Sequence, residues 1–143
     1  MSALISRAVL VQQTPQDAAE LIYSEVAGLI DNLHVGGADV LVAVFTRIGR
    51  SKGGVLLSDR TTDEDNYQGV SAMVLKLGPY AYQSDKTKRW FVDKDGEPRP
   101  PRPGDWVLFD TKNNFPFKLG ARTCRLINDQ YVMAIIDRPD MVA

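Results

Sequence analysis

The chain has 143 residues, enough for one compact domain with its own core and too few for a comfortable second one. Hydrophobic residues make up 44% and charged residues 24%, which excludes a disordered or fibrous protein. Lys and Arg number 17 against 18 Asp and Glu, a net charge of -1, so no global field draws polyanions and nucleic acid is not an expected partner.

The first expected element is a helix. Thr14 is a good N-cap, Pro15 suits the first helical position and Asp17 stands three residues beyond the cap. Ala18, Ile22, Val26, Leu29 and Leu33 then recur at three- or four-residue steps, with Asp17, Glu20, Ser24 and Asp31 on the opposite side. Gly36 and Gly37 end the pattern, and His34 falls in its last turn. A lone helix of this length is marginal in water, so Ile22, Val26 and Leu29 should be buried against the rest of the chain or a neighbouring subunit.

Beyond the glycines the texture changes to short apolar or alternating runs between turn residues, the pattern of a β-barrel or sandwich. Strands are expected over residues 40–45, 70–77, 106–109 and 131–136, with Cys124 in a further apparent strand. Asp95-Gly96 and Asn128-Asp129 are hairpin-turn signals, the first preceded by the β-forming Trp90, Phe91 and Val92. Pro98, Pro100, Pro101 and Pro103 cannot donate to a ladder, which makes their stretch an extended connector or an exposed edge.

With Cys124 the single cysteine, an internal disulfide is impossible and a reducing compartment fits best. Arg122 and Arg125 beside it could lower its pKa, but a small apolar residue within a strand is expected to pack rather than react. Residues 1–12 carry neither a secretion signal nor a membrane span, so a soluble cytoplasmic protein is expected.

Chemistry has few footholds. There is no phosphate-cradling Gly-Lys-Ser/Thr loop and no nucleophile elbow, and His34 is the one histidine, so the protein is expected not to be an enzyme and to need no cofactor. Asp59, Asp63, Glu64 and Asp65 lack the alternating ligands and central glycine of a calcium loop and read as a solvated acidic stretch, with no metal site. Lys86, Lys88 and Arg89 beside Trp90 could stack a base or hold a phosphate, although charges flanking a hairpin are ordinary.

Residues 46–68 are the most informative, being rich in Gly, Ser, Thr, Asp and Arg and reading as a long mobile loop. In their midst Gly53-Gly54 precede three large apolar residues, Val55, Leu56 and Leu57. Spacing alone favours a short strand here; the alternative is a sticky tripeptide that orders only in a partner's groove.

The order of these features resembles the small co-chaperonins of the GroES type. Asp39-Val40-Leu41-Val42 is similar to that family's first core strand, and Gly53-Gly54-Val55-Leu56-Leu57 to its mobile-loop Gly-Gly and apolar tripeptide. Residues 69–78 resemble the strand returning from the loop, Asp95-Gly96-Glu97 the roof turn, residues 104–109 the Gly-Asp and apolar strand, and residues 129–142 the closing hairpin and terminal segment. The helix before Gly37 is additional to the family pattern.

The resemblance implies a mainly β fold: a GroES-like β-barrel over residues 38–143 with a mobile loop and a roof hairpin, preceded by a helical extension over residues 1–37. It implies a homo-oligomeric ring, heptameric as in the family, that caps a GroEL-type chaperonin whose own ATPase drives the cycle. Gly53, Gly54, Val55, Leu56 and Leu57 would be the chaperonin-binding residues, and Asp95, Gly96 and Glu97 the roof hairpin. Divergent members are often encoded by bacteriophages, which would put the protein in a host cytoplasm. The rival readings are a phage virion or assembly protein that reuses the barrel and, more weakly, a nucleic-acid-binding barrel.

Overall fold

Ala18, Ile22 and Val26 recur every four residues and are all buried, so the first helix, α1 (Pro15–Val26), lays one stripe on the rest of the chain. The computed structural model describes residues 15–45 and 71–139, and the N-cap position Thr14 lies outside them. The helix ends at Val26, well short of the expected Leu33. Gly28 adopts φ +80, a left-handed conformation that costs a glycine little, and a 3-10 turn (Ile30–Asn32) follows. The Asn32 side-chain amide donates to the Gly28 carbonyl, which meets a hydrogen-bonding need of the helix end. The apolar period survived into this turn, but its geometry did not: Leu33 stays half-buried on the core, whereas Leu29 is 42% exposed. His34 correspondingly sits in an irregular segment, exposed, and not in a helical last turn.

Six strands follow: β1 (Asp39–Val44), β2 (Ser71–Leu77), β3 (Trp106–Phe109), β4 (Asn114–Leu119), β5 (Arg122–Asn128) and β6 (Val132–Ile136). They form one antiparallel sheet in the order β4-β5-β1-β2-β3-β6. Four strands coincide with the expected ones to within a residue or so. β4 was not expected, because Asn-Phe-Pro-Phe-Lys-Leu holds a proline and buries nothing fully; it is an edge strand, where proline is tolerated. The Asn128-Asp129 pair, expected to turn a hairpin, instead opens a 3-10 turn (Asp129–Tyr131). That turn carries the chain from β5, which pairs with β4 and β1, to β6, which pairs with β3 at the far side. The closing hairpin implied by the family resemblance is therefore absent among the described residues.

β1 lies in the middle with both faces covered. Val40, Val42 and Val44 join Ala72, Val74, Val107, Phe109, Ile127 and Val132 in one cluster, closed over by Ala81 and Tyr82. Leu41 and Ala43 point the other way, with Met73, Leu75, Trp106 and Cys124, and meet Ala18, Ile22 and Val26 of α1. Each large aliphatic side chain so buried contributes about 1.5 to 3 kcal/mol. A bulge in β2 sets two residues, Leu75 and Lys76, against Leu41, and the Lys76 ammonium reaches the Leu33 carbonyl at 2.9 Å.

One ion pair aligns the helix on the sheet. Arg122, buried on β5, donates from Nε and Nη2 to the two Glu25 carboxylate oxygens at 3.1 and 2.7 Å and from Nη1 to the Val44 carbonyl at 3.1 Å. This fork ties α1, β1 and β5 together in fixed geometry. Cys124, on the same face, is wholly buried, and burial pushes its thiol up to about 11 despite the opposing pull of Arg122. It is a packing residue.

Ile22→Ala should lower unfolding free energy by about 2 to 5 kcal/mol. Glu25→Gln, which leaves Arg122 without its counter-charge at a partly exposed site, should cost about 1 to 3 kcal/mol. Urea titrations check both, and a loss below the detection limit in the two together would mean that the helix contributes no stability. The folded Cys124 thiol keeps its proton to higher pH than the unfolded one, so its stabilising contribution is complete below about 9 and is lost as pH rises through about 11. Between those values Cys124→Ala should show a shallower fall in stability than the parent chain, and thiol reagents should label the parent only after unfolding.

Candidate functional site

Between β2 and β3 the chain leaves the sheet over residues 78–105 and covers the end where β1 begins and β5 finishes. Its anchors are apolar and local: Ala81 and Tyr82 complete the valine-rich cluster, and Phe91 meets the Tyr82 ring edge-on at 6.2 Å.

The expected turn at Asp95-Gly96 is present as a tight loop. The Asp93 carboxylate accepts the N–H groups of Asp95 and Glu97 at 2.9 and 3.0 Å, the Gly96 N–H donates to the Asp93 carbonyl at 3.0 Å, and Gly96 takes φ +79. A single bridge, Val92 with Pro98, flanks the turn. Pro98, Pro100, Pro101 and Pro103 lack the donors to extend it, so the stretch is a connector. It is held by Arg99, which forks onto the Asp105 carboxylate at 2.9 and 3.1 Å, while Asp105 also accepts the Arg102 N–H. Trp90 and Val92 remain exposed beside this loop.

Below the loop lies a second arrangement that sequence reasoning missed. Tyr82 takes φ 59, a left-handed conformation unusual for a tyrosine. It is held there by Asp129, which accepts the Tyr82 N–H on Oδ2 at 2.8 Å and the Tyr82 hydroxyl on its backbone carbonyl at 3.1 Å. Asp129 is itself 3% exposed, and its N–H donates to the Ala38 carbonyl. Burial, and then the Asp129 charge, push the Tyr82 hydroxyl well above its ordinary range, so it acts as a hydrogen-bond donor. The turn bearing Asp129 was legible as a turn, but nothing in the sequence pairs it with Tyr82, 47 positions away.

A cavity of about 430 Å³ opens between these two turns, walled by Tyr80, Ser84, Lys86, Asn128, Asp129 and Gln130 among others. The Lys86 ammonium donates to the Gln130 side-chain carbonyl at 3.2 Å. Arg89 donates to the Gly96 carbonyl at 3.2 Å, so two cations of the Lys86, Lys88 and Arg89 group have intramolecular partners, and Asp85, Asp93, Asp95 and Glu97 intersperse them.

The sheet has two unpaired edges among the described residues, β4 and β6. β4 shows the adjacent rings of Phe115 and Phe117, 6.3 Å apart, beside Pro116. β6 is Val-Met-Ala-Ile-Ile, without a charge or a proline, and its Met133 is 67% exposed. An apolar, uncharged edge is a template for a further strand.

The expected chaperonin-binding residues Gly53, Gly54, Val55, Leu56 and Leu57 lie outside the described residues, as do Asp59, Asp63, Glu64 and Asp65. Among the described residues no group of three or more His, Cys, Asp or Glu could hold a metal, and no helix is long and apolar enough to cross a membrane. No protein-family model matches this chain, and no curated protein matches it.

Proposed function

We propose that this protein is a non-enzymatic assembly module: a GroES-like barrel that forms a ring, heptameric as in that family, and caps a GroEL-type chaperonin. The observation that carries this reading is the link between β1 and β2. These strands are antiparallel neighbours, and such a pair needs only a few residues to turn, yet 26 residues, 45–70, separate them. The 28 residues between the neighbours β2 and β3 cover the core through Ala81, Tyr82 and Phe91, and the link between β1 and β2 holds at its centre Gly53-Gly54 followed by Val55, Leu56 and Leu57, an apolar tripeptide suited to a partner's groove.

In this reading the tripeptide docks in an apolar groove of the chaperonin while the two glycines release it from the sheet. Ordering a loop costs about 1 to 2 kcal/mol per residue, so each contact is weak alone and a symmetric ring supplies the avidity. The unpaired β6 edge and the aromatic β4 edge lie at opposite sides of one sheet, which suits head-to-tail closure. Asp95, Gly96 and Glu97 form the roof. The partner binds and hydrolyses ATP, and this chain carries no cofactor. An assembly protein of a virion shares the edges and lacks the chaperonin contact, so chaperonin capture separates the two.

Native mass spectrometry should show a multiple of the 15.9 kDa subunit. Met133→Lys, which adds a charge to an exposed edge position, should break the assembly while changing subunit stability by no more than about 0.5 kcal/mol. A monomeric parent chain at micromolar concentration contradicts the ring. Leu56→Ala should leave the melting temperature unchanged and abolish nucleotide-dependent capture by a purified chaperonin, each site losing about 1.5 to 3 kcal/mol of burial. If instead the variant melts early, losing about 2 to 5 kcal/mol, and still binds chaperonin, residues 55–57 are a core strand and the docking assignment is wrong.

A further inference from the structure

We propose that residues 1–12, which lie outside the described residues, dock on the aromatic β4 edge of their own subunit, along the strip between β4 and α1. Residues directly opposite in an antiparallel pair point to the same face, so the partners of β4 show where its side chains lie. Phe115 pairs with Leu126, Phe117 with Cys124 and Leu119 with Arg122. Cys124 belongs to the cluster that meets α1, Leu126 packs on it, and Arg122 is forked onto Glu25 of that helix. Phe115, Phe117 and Leu119 therefore project on the helix side. They reach beyond α1: Phe115 is 59% exposed, with the Phe117 ring 6.3 Å away. Leu21, one turn before Glu25 on the same side of α1, is also exposed. Leu29 lies against the turn between β4 and β5, its Cδ1 3.0 Å from where a Gly120 Cβ would stand. Apolar side chains of two elements thus border one strip, and the Glu25–Arg122 pair at its side is already satisfied.

The segment before α1 matches this strip in chemistry and in reach. It holds Leu4, Ile5, Ala8, Val9, Leu10 and Val11 against a single charged side chain, Arg7. Leu4, Ile5, Ala8 and Val9 recur at helical steps, an apolar stripe that leaves Ser6 and Arg7 to one side. So short an apolar stripe gains little in water and is stabilised by lying on another apolar surface. Only Gln13 and Thr14 separate the segment from Pro15, the first residue of α1, and Leu21 of that helix borders the strip. Even in helical form twelve residues span about 18 Å, whereas β4 lies one strand spacing, about 5 Å, beyond β5, to which Glu25 ties the helix. So short a tether gives the segment an effective concentration of about millimolar or more, which favours it over a second molecule present at micromolar levels.

The test is nuclear magnetic resonance of the full chain with labelled Ile, Leu and Val methyl groups and protonated Phe in a deuterated background. Nuclear Overhauser contacts should join the Phe115 and Phe117 rings to methyls of Leu4, Ile5 and Val9. Phe115→Ser, a change at an exposed position, should keep the fold and speed amide hydrogen exchange over residues 4–11 by about tenfold or more. A Val9→Cys, Phe115→Cys double variant separates own chain from neighbour. Mild oxidation should close it into a cross-linked monomer on a denaturing gel, with the wholly buried Cys124 taking no part. The assignment is overturned if the two rings make no contact with residues 4–11, or if Phe115→Ser leaves their exchange unchanged. Covalent dimers or larger species from the double variant overturn it as well, and give the strip to the segment of a second copy.

Discussion

β1 has to be covered on both faces. Its six residues place Val40, Val42 and Val44 on one side and Leu41 and Ala43 on the other, and all five are wholly buried. Neither face can be left to water, so the fold needs two lids of different origin. One is α1, whose four-residue apolar stripe fits the Leu41, Met73 and Trp106 side. The other is the excursion between β2 and β3, which brings Ala81 and Tyr82 over the valines. The helix that looks additional in the sequence is thus part of the core.

Polar groups fix how each lid sits. Apolar contact is tolerant of small rotations, whereas a buried guanidinium forked onto a carboxylate is not. Arg122 and Glu25 set the helix, and Asp129 with the left-handed Tyr82 sets the second lid against the 3-10 turn before β6. Both pairs join elements far apart in the chain. In each, loss of one partner strands a buried polar group, so these residues restrict the fold to one arrangement in a way the aliphatic core does not.

What the lids leave open bears on function. The two covers protect the faces of the sheet but not its edges, and β6 presents Val-Met-Ala-Ile-Ile there without a charge. Proteins that remain single subunits blunt such edges with lysine, proline or a bulge. β4 carries Pro116, and β6 carries a bulge that sets Met133 outward, an apolar residue where a charge would defend the edge. The proposed ring rests on the Met133 position of this edge and on the 26-residue link between β1 and β2.

The amino-acid pattern determined the element types wherever one physical period acted alone. The four-residue recurrence of Ala18, Ile22 and Val26 specified a helix and its buried side, and the short β-branched runs of β1, β2, β3 and β6 specified strands, because burial on a face demands that spacing. Asp95-Gly96 specified a turn because glycine takes positive φ cheaply. Where a second requirement competed, the pattern was silent. Gly28 cut the helix although Leu29 and Leu33 kept its period, and β4 formed as a partner for β5 with no apolar face of its own to announce it. Strand order was equally beyond local reading. Sending β6 to β3 and not back along β5, and setting Asp129 under Tyr82, depends on hydrogen bonds and burial between segments that meet only in three dimensions. The carboxylate in the cavity wall belongs to that second kind: its surroundings come from three separate parts of the chain, and only folding brings them together.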